Sequence, residues 1–241
     1  MSEGDDSWDI WRRDVEEFRT TLPCGGRRYQ WLIGYLGNPD SKIMFVCEIP
    51  SLSKRFTQQQ PPDSTDENLQ WNVHAGDWLF RNMLCEFGFK ENSPKEAGGW
   101  KCWITDFIKC PIENLNALDE TERHSIFKRS ARILEREIES LDPVLIVTVG
   151  NNAYQYFNKY VKITVPRLKK MTHYSYIMLR PDRDGRRAGD RKRIEEYREE
   201  FGRIRQPYEE ELRKRSLEDC QSVHFSKRKL EVNAKMTSYL E

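Results

Sequence analysis

No Cys-x-x-Cys pair occurs among the six cysteines of the 241-residue chain. That scatter indicates neither a zinc site nor a disulfide framework. Several of the thiols fall in apolar runs, where cysteine usually serves as a small buried hydrophobe. No apolar stretch approaches the roughly 20 residues that a membrane-spanning helix needs, and no secretory leader pattern opens the sequence. These absences set the expectation of a cytoplasmic protein without membrane association. A glycine-rich loop ending in Lys-Ser or Lys-Thr is missing too, which ranks a nucleotide-binding α/β protein low. There are no internal repeats. Charge of one sign is not in excess either: 40 Lys and Arg face 39 Asp and Glu, so attraction to a polyanion has to come from a local asymmetry.

Such an asymmetry exists. Between Val161 and Arg193 there are 11 basic residues (Lys162, Arg167, Lys169, Lys170, Arg180, Arg183, Arg186, Arg187, Arg191, Lys192 and Arg193) against three acids, Asp182, Asp184 and Asp190. A run of this kind inside a folded chain reads as an anion-facing surface, and the competing reading is a solvated loop. The composition, 37% hydrophobic and 33% charged, with a mean hydropathy of −0.83, is polar for a globular enzyme. Long charged helices outside the core would account for it. The length still suffices for one large α/β domain with an appendage.

Periodicity supplies the order of elements. Asp6 to Thr21 predicts an amphipathic helix with Trp8, Trp11, Val15 and Phe18 on one face. Arg28 to Gly37 reads as a strand ending in a Gly-Asn-Pro turn. Ile43 to Cys47 is a continuous apolar run, as in a parallel strand buried on both faces. Pro50 to Leu69 is polar and rich in Gln and Pro, a loop long enough to be functional. His74 to Phe89 predicts a helix, with Trp78, Leu79, Met83, Leu84 and Phe87 at core spacing. Lys101 to Ile108 predicts a second buried strand. Asp119, with Glu122 three residues on, caps a helix running to Leu141. Asp142-Pro143 ends it, Val144 to Val149 is a third strand, and Gly150 opens a helix over Asn152 to Tyr160. Alternation of this kind predicts a three-layer α/β/α fold around a central parallel sheet. From Arg191 to Arg215 charges alternate with few apolar residues, which predicts exposed helices broken at Pro207. The expected organisation is residues 1–39 as a helix and strand packed on the core, 40–183 as the α/β core, and 184–241 as a charged helical extension.

Four segments in order carry a resemblance. Ile43-Met-Phe-Val-Cys-Glu-Ile-Pro-Ser51 looks like a strand followed by a G-E-x-P-G loop. Trp71-Asn-Val-His-Ala-Gly-Asp-Trp-Leu79 resembles P-F-x-G-x-A-G-x-L-L. Cys102-Trp-Ile-Thr-Asp-Phe-Ile-Lys-Cys-Pro111 resembles y-I-T-N-x-x-K-C-x-P. Leu145 to Ala153, with Thr172-His-Tyr-Ser-Tyr176, resembles v-x-L-G-x-x-A followed by an H-P-S-x loop. Together these are similar to the uracil-DNA glycosylase superfamily, nearest its family 4 branch, over roughly residues 40 to 180. The resemblance implies a DNA glycosylase whose partner is DNA and which flips the target base out of the stack. It gives Trp71 the role of stacking on that base, beside Ile49 and Pro50. His173 would stabilise charge on the leaving base. Gly150, Asn151 and Asn152, at a helix N-terminus, would bind a phosphate, together with Ser51, Ser175, Lys169, Lys170 and Arg180. No obligate protein partner is evident.

The departures from the family pattern are informative. Asp106 stands where the family has the Asn that reads uracil. An ionised carboxylate can only accept hydrogen bonds; it opposes the O4 of uracil and suits the amino group of cytosine, with a proton shared at N3. Asp106 therefore points to cytosine or a modified cytosine. Removal of plain cytosine would destroy the host genome, so a bulky 5-substituent has to be demanded, and the Ser51 to Gln70 loop has room to screen for one. Some phages carry glucosylated hydroxymethylcytosine, and the chain resembles the glycosylase-like defence proteins of this superfamily that attack such DNA, a resemblance that implies an antiviral role. The acidic residue expected near Leu52-Ser-Lys-Arg55 is missing, leaving Glu48 as the available acid. Tyr174 replaces the Pro after His173. The family 4 iron–sulfur cysteines are not reproduced, with Cys110 alone matching, so neither a cluster, another metal nor any cofactor is expected. Two further readings stay open: a repair glycosylase for uracil or another deaminated base, and a non-catalytic module that binds modified DNA.

Overall fold

In the computed structural model the described residues are 3–21, 34–50, 75–109, 112, 115–165, 167–178 and 191–237. Trp71, Ser51, Arg180, Arg183, Arg186, Arg187 and the whole 51–70 loop lie outside them.

The elements run α1 (Glu3–Thr20), β1 (Tyr35–Gly37), β2 (Ile43–Cys47), α2 (Ala75–Glu86), β3 (Trp103–Asp106), α3 (Glu120–Leu141), β4 (Leu145–Val149), α4 (Asn151–Tyr160), β5 (Leu168–Met171), α5 (Tyr174–Met178) and α6 (Arg191–Thr237). A 3₁₀ turn at Leu115–Ala117 precedes α3. The sheet order is β1-β3-β2-β4-β5. β2 pairs in parallel with both β3 and β4, β4 pairs in parallel with β5, and only the edge strand β1 is antiparallel. The expected α/β architecture is what forms.

Its physical basis is the alternation of side chains along a strand. From β2, Ile43, Phe45 and Cys47 enter one core with Phe80, Leu84, Tyr197 and Phe201. Met44 and Val46 enter the other with Trp11, Phe18, Leu134 and Ile138. Both faces are thus dry, which is why β2 reads as an unbroken apolar run. The helix caps follow the sequence as well. Asp119 accepts from the Glu122 amide at 2.8 Å, and Asp142, with φ 46°, closes the far end in the left-handed region.

Four expectations need correction. The strand expected over Lys101 to Ile108 is only Trp103–Asp106; of the strand expected over Arg28 to Gly37, Tyr35–Gly37 is present and residues 28–33 lie outside the described ones. Trp78 is half-buried and outside both core clusters. The basic run contains a strand that periodicity did not suggest, β5, whose Lys169 and Lys170 are exposed because it lies at the sheet edge. The C-terminal segment is not a set of exposed helices. α6 is one helix with Pro207 inside it, and Tyr197, Phe201 and Ile204 are buried against the β2 face. Their spacing of four and three residues makes a helical stripe, and packing of that stripe outweighs the polar composition around it. Among the described residues, no helix is long and apolar enough to cross a membrane.

Candidate active site

Parallel strands place their carboxyl ends on one edge of the sheet, where α/β proteins bind ligands. Four adjacent strands bring Asp106 (end of β3), Glu48 to Pro50 (after β2), Gly150 to Asn152 (after β4) and Thr172 to Ser175 (after β5) to that edge, side by side. The loops are stitched to one another by backbone hydrogen bonds: Phe107 N to the Cys47 carbonyl at 2.8 Å, Ile108 N to that of Glu48 at 3.1 Å, and Gly150 N to that of Met171 at 2.9 Å.

His173 is held in one orientation. Its Nδ1 accepts from the Ser175 amide at 3.2 Å and meets the Ser175 hydroxyl at 2.7 Å. An Nδ1 that accepts leaves the proton on Nε2, so the ring presents an N–H donor to the site. Burial lowers its pKa from 6.5 to about 4, so the ring is neutral at physiological pH. Tyr174 stacks on it with ring centroids 4.2 Å apart and stacks in turn on Phe80 at 5.3 Å. The residue that departs from the family's Pro is therefore a platform joining His173 to the core. Gly150, at φ +96°, is required here: a Cβ would lie 3.1 Å from the Cβ of His173.

Glu48 is half-buried at the end of β2. The Asn152 amide donates to both carboxylate oxygens, at 3.0 and 3.1 Å, and the Tyr156 hydroxyl donates as well. Desolvation raises the Glu48 pKa, and the two donors pull it back. Asn152, expected to meet a phosphate, is thus engaged with Glu48. Ile49 is half-buried against the α1/α3 core and Pro50 is buried beside it. Sequence reasoning passed over Tyr156, although it lies one helical turn beyond Asn152 and so on the same face of α4.

Asp106 is 5% exposed. Burial pushes its pKa well up. The Lys109 ammonium opposes that shift, and Glu137, Asp77 and Glu48 add to it. Burial thus works against the ionised acceptor expected from residue type and favours the neutral form, which carries one donor and one acceptor. Behind it Lys109, fully buried, bonds to Thr105 and Glu137, and the Trp103 indole donates to Glu137 at 2.6 Å. This buried ion pair has its hydrogen bonds supplied by the sheet, the condition under which such pairs are tolerated.

The basic residues separate. Lys170 donates to the Asn151 side chain at 3.1 Å and lies over the Tyr154 ring, beside the α4 N-terminus. Lys169 precedes it in the strand and so points to the opposite face; the two cannot line one groove.

The geometry defines an α/β protein with a neutral imidazole donor, a buried carboxyl and a half-buried one at the carboxyl edge of its sheet. A family model for the uracil DNA glycosylase superfamily matches residues 35–200. The chain belongs to that superfamily, whose members are DNA glycosylases that act on DNA. A search of curated proteins found no match.

Proposed function

We propose that the chain is a DNA glycosylase that flips out a 5-modified cytosine, with glucosylated hydroxymethylcytosine of phage DNA as the leading case, and hydrolyses its glycosidic bond to leave an abasic site. The observation that carries this reading is a buried carboxyl, Asp106, on the strand-end row that also holds the Nε2–H of His173. In the flipped state the neutral Asp106 accepts from the cytosine amino group and donates to N3. Proton sharing at N3 draws electron density from the ring and improves the leaving group. His173 meets the base O2, where negative charge grows as the bond breaks, with a fixed donor that needs no reorganisation. Trp71 stacks on the base, with Ile49 and Pro50 at its edge. The Ser51 to Gln70 loop admits the substituent. Ser51, Gly150, Asn151, Ser175, Lys170 and Arg180 are assigned to phosphates, and Lys169, on the opposite face of β5, is left out of the groove.

Glu48 is assigned to the attacking water. A base must be ionised, and burial works against that, so the donors from Asn152 and Tyr156 sustain the active form. Activity should therefore fall as pH drops through the raised Glu48 pKa. Tyr156→Phe removes a donor to the carboxylate, so this acid limb should move to higher pH by about one unit, the size of one hydrogen bond to a charged group. Single-turnover excision measured across pH checks this, and an unmoved limb removes Glu48 from the role.

The substrate itself is tested with DNA duplexes carrying uracil, cytosine, hydroxymethylcytosine or glucosylated hydroxymethylcytosine, scored for abasic sites by alkaline cleavage. Cleavage confined to the glucosylated duplex is expected. A second reading has an observation in its favour: a neutral Asp106 can also donate to the O4 of uracil and accept from N3–H. Efficient cleavage of the uracil duplex alone would select a repair enzyme, and tight binding with no cleavage would select a non-catalytic module.

A further inference from the structure

We infer that Glu200, on the C-terminal helix α6, is a positioning residue for His173. The inference rests on the reading of His173 as the donor to the leaving base. Thr172 is the residue between the end of β5 and His173, and its orientation sets where the imidazole points. Both of its polar groups go to one carboxylate: the Thr172 amide donates to Glu200 Oε2 at 2.8 Å and the Thr172 hydroxyl to Oε1 at 2.7 Å. The two bonds together fix the dihedral angles of Thr172 as a single bond would not, and bonds to an ionised acceptor are the strong ones.

The carboxylate is itself fixed. α6 is anchored one turn to either side by Tyr197 and Ile204, and by the adjacent Phe201, all three buried. The backbone of β5 is bonded to β4 just before Thr172, through the Gly150 amide on the Met171 carbonyl. Beyond His173, Ser175 holds Nδ1 and Tyr174 holds the ring face. The clamp thus supplies the remaining restraint on the loop. Without Glu200, the half-buried Thr172 amide would seek another acceptor, the loop would turn outward, and the ring would gain water. A helix that looks like a charged appendage in sequence is in this way part of the catalytic unit.

Three variants and two measurements test the clamp. Glu200→Ala should lower the excision rate at saturation by about 10- to 100-fold, the range for a catalytic group displaced by roughly an ångström, with KM little changed. Glu200→Gln should retain most activity, because its carbonyl can accept from the Thr172 amide while its amide donates to the hydroxyl oxygen. In a His173→Ala background, adding Glu200→Ala should cost nothing further, since a residue that acts through another has no effect once that residue is gone. The second measurement is NMR of the imidazoles, four in the chain. In the wild type His173 should titrate at about 4 as the Nε2–H tautomer. In Glu200→Ala it should titrate closer to 6.5 with mixed tautomers. An additive loss in the double variant, or a His173 resonance unchanged by Glu200→Ala, overturns the inference. Should His173→Ala prove fully active, the donor reading fails, and the titration of His173 in Glu200→Ala still decides the clamp.

Discussion

His173→Ala should cut excision by about 10²–10³-fold while leaving DNA affinity nearly unchanged, the loss expected when one fixed donor is taken from a developing negative charge. The argument depends on the ring being a neutral donor. Nδ1 is occupied by the Ser175 amide and burial holds the pKa at about 4, so from pH 5 upward the Nε2 proton is present at all times and the imidazolium is not needed. The same burial has a thermodynamic cost of known sign. The folded pKa lies below the unfolded value of 6.5, so the unfolded chain takes up the proton first as pH falls. Stability on this account is unaffected above 6.5 and declines between 6.5 and about 4, by up to about 3 kcal/mol and less for the part of the ring that solvent still screens. His173→Ala lacks that dependence, so its stability relative to wild type should rise between pH 7 and pH 5. Parallel denaturation curves at the two pH values, alongside single-turnover kinetics and binding isotherms, check both parts. A variant with near-normal excision, or one that loses binding and activity in proportion, would remove His173 from the chemistry.

How much of this could be read from sequence depends on how local the cause is. β2 and β4 were legible because burial on both faces leaves a continuous apolar run, and α3 because its caps lie within four residues of its ends. β5 was not, because an edge strand can carry two lysines in four residues without harm. α6 was misread for the opposite reason: Tyr197, Phe201 and Ile204 hold a helical spacing, but the charges between them and Pro207 argue for exposure, and only the presence of the β2 face makes burial the better outcome. In the site, Asp106, Glu48, Gly150 and His173 were legible because each sits at a strand end within a spaced motif. The contacts that tune them were not. Glu200 is 28 residues from Thr172, and Glu137 is 28 from Lys109; each pairing is made by topology and leaves no local trace. The upward shift of the Asp106 pKa leaves no local trace either, since it comes from burial beside other carboxyls.

Asp106→Asn should convert base preference, and the direction on two substrates is what matters. Burial favours the neutral acid, which can pair with either pyrimidine edge; discrimination enters when the carboxyl loses its proton. Opposite cytosine, the carboxylate and the basic N3 can take up one proton from solvent and hold it between them. Opposite uracil, the O4 carbonyl cannot, and two acceptors are left facing each other, a contact that costs on the order of 1–3 kcal/mol. The wild-type preference for cytosine-type bases should therefore grow as pH rises through the Asp106 pKa. An Asn at this position has no such titration and offers a fixed donor to O4. The variant should lose activity on cytosine-type bases, gain it on uracil, and show a preference independent of pH. Its stability moves as well. The folded Asp106 holds a proton that the unfolded chain releases above about 3.8, so wild-type stability declines as pH rises from there through the folded pKa, and at neutral pH Asp106→Asn should be the more stable protein. A folding defect would lower both activities and the melting temperature together, so it cannot imitate this result. If Asp106→Asn keeps the wild-type preference at every pH, Asp106 does not read the base, and the modified-cytosine assignment goes with it.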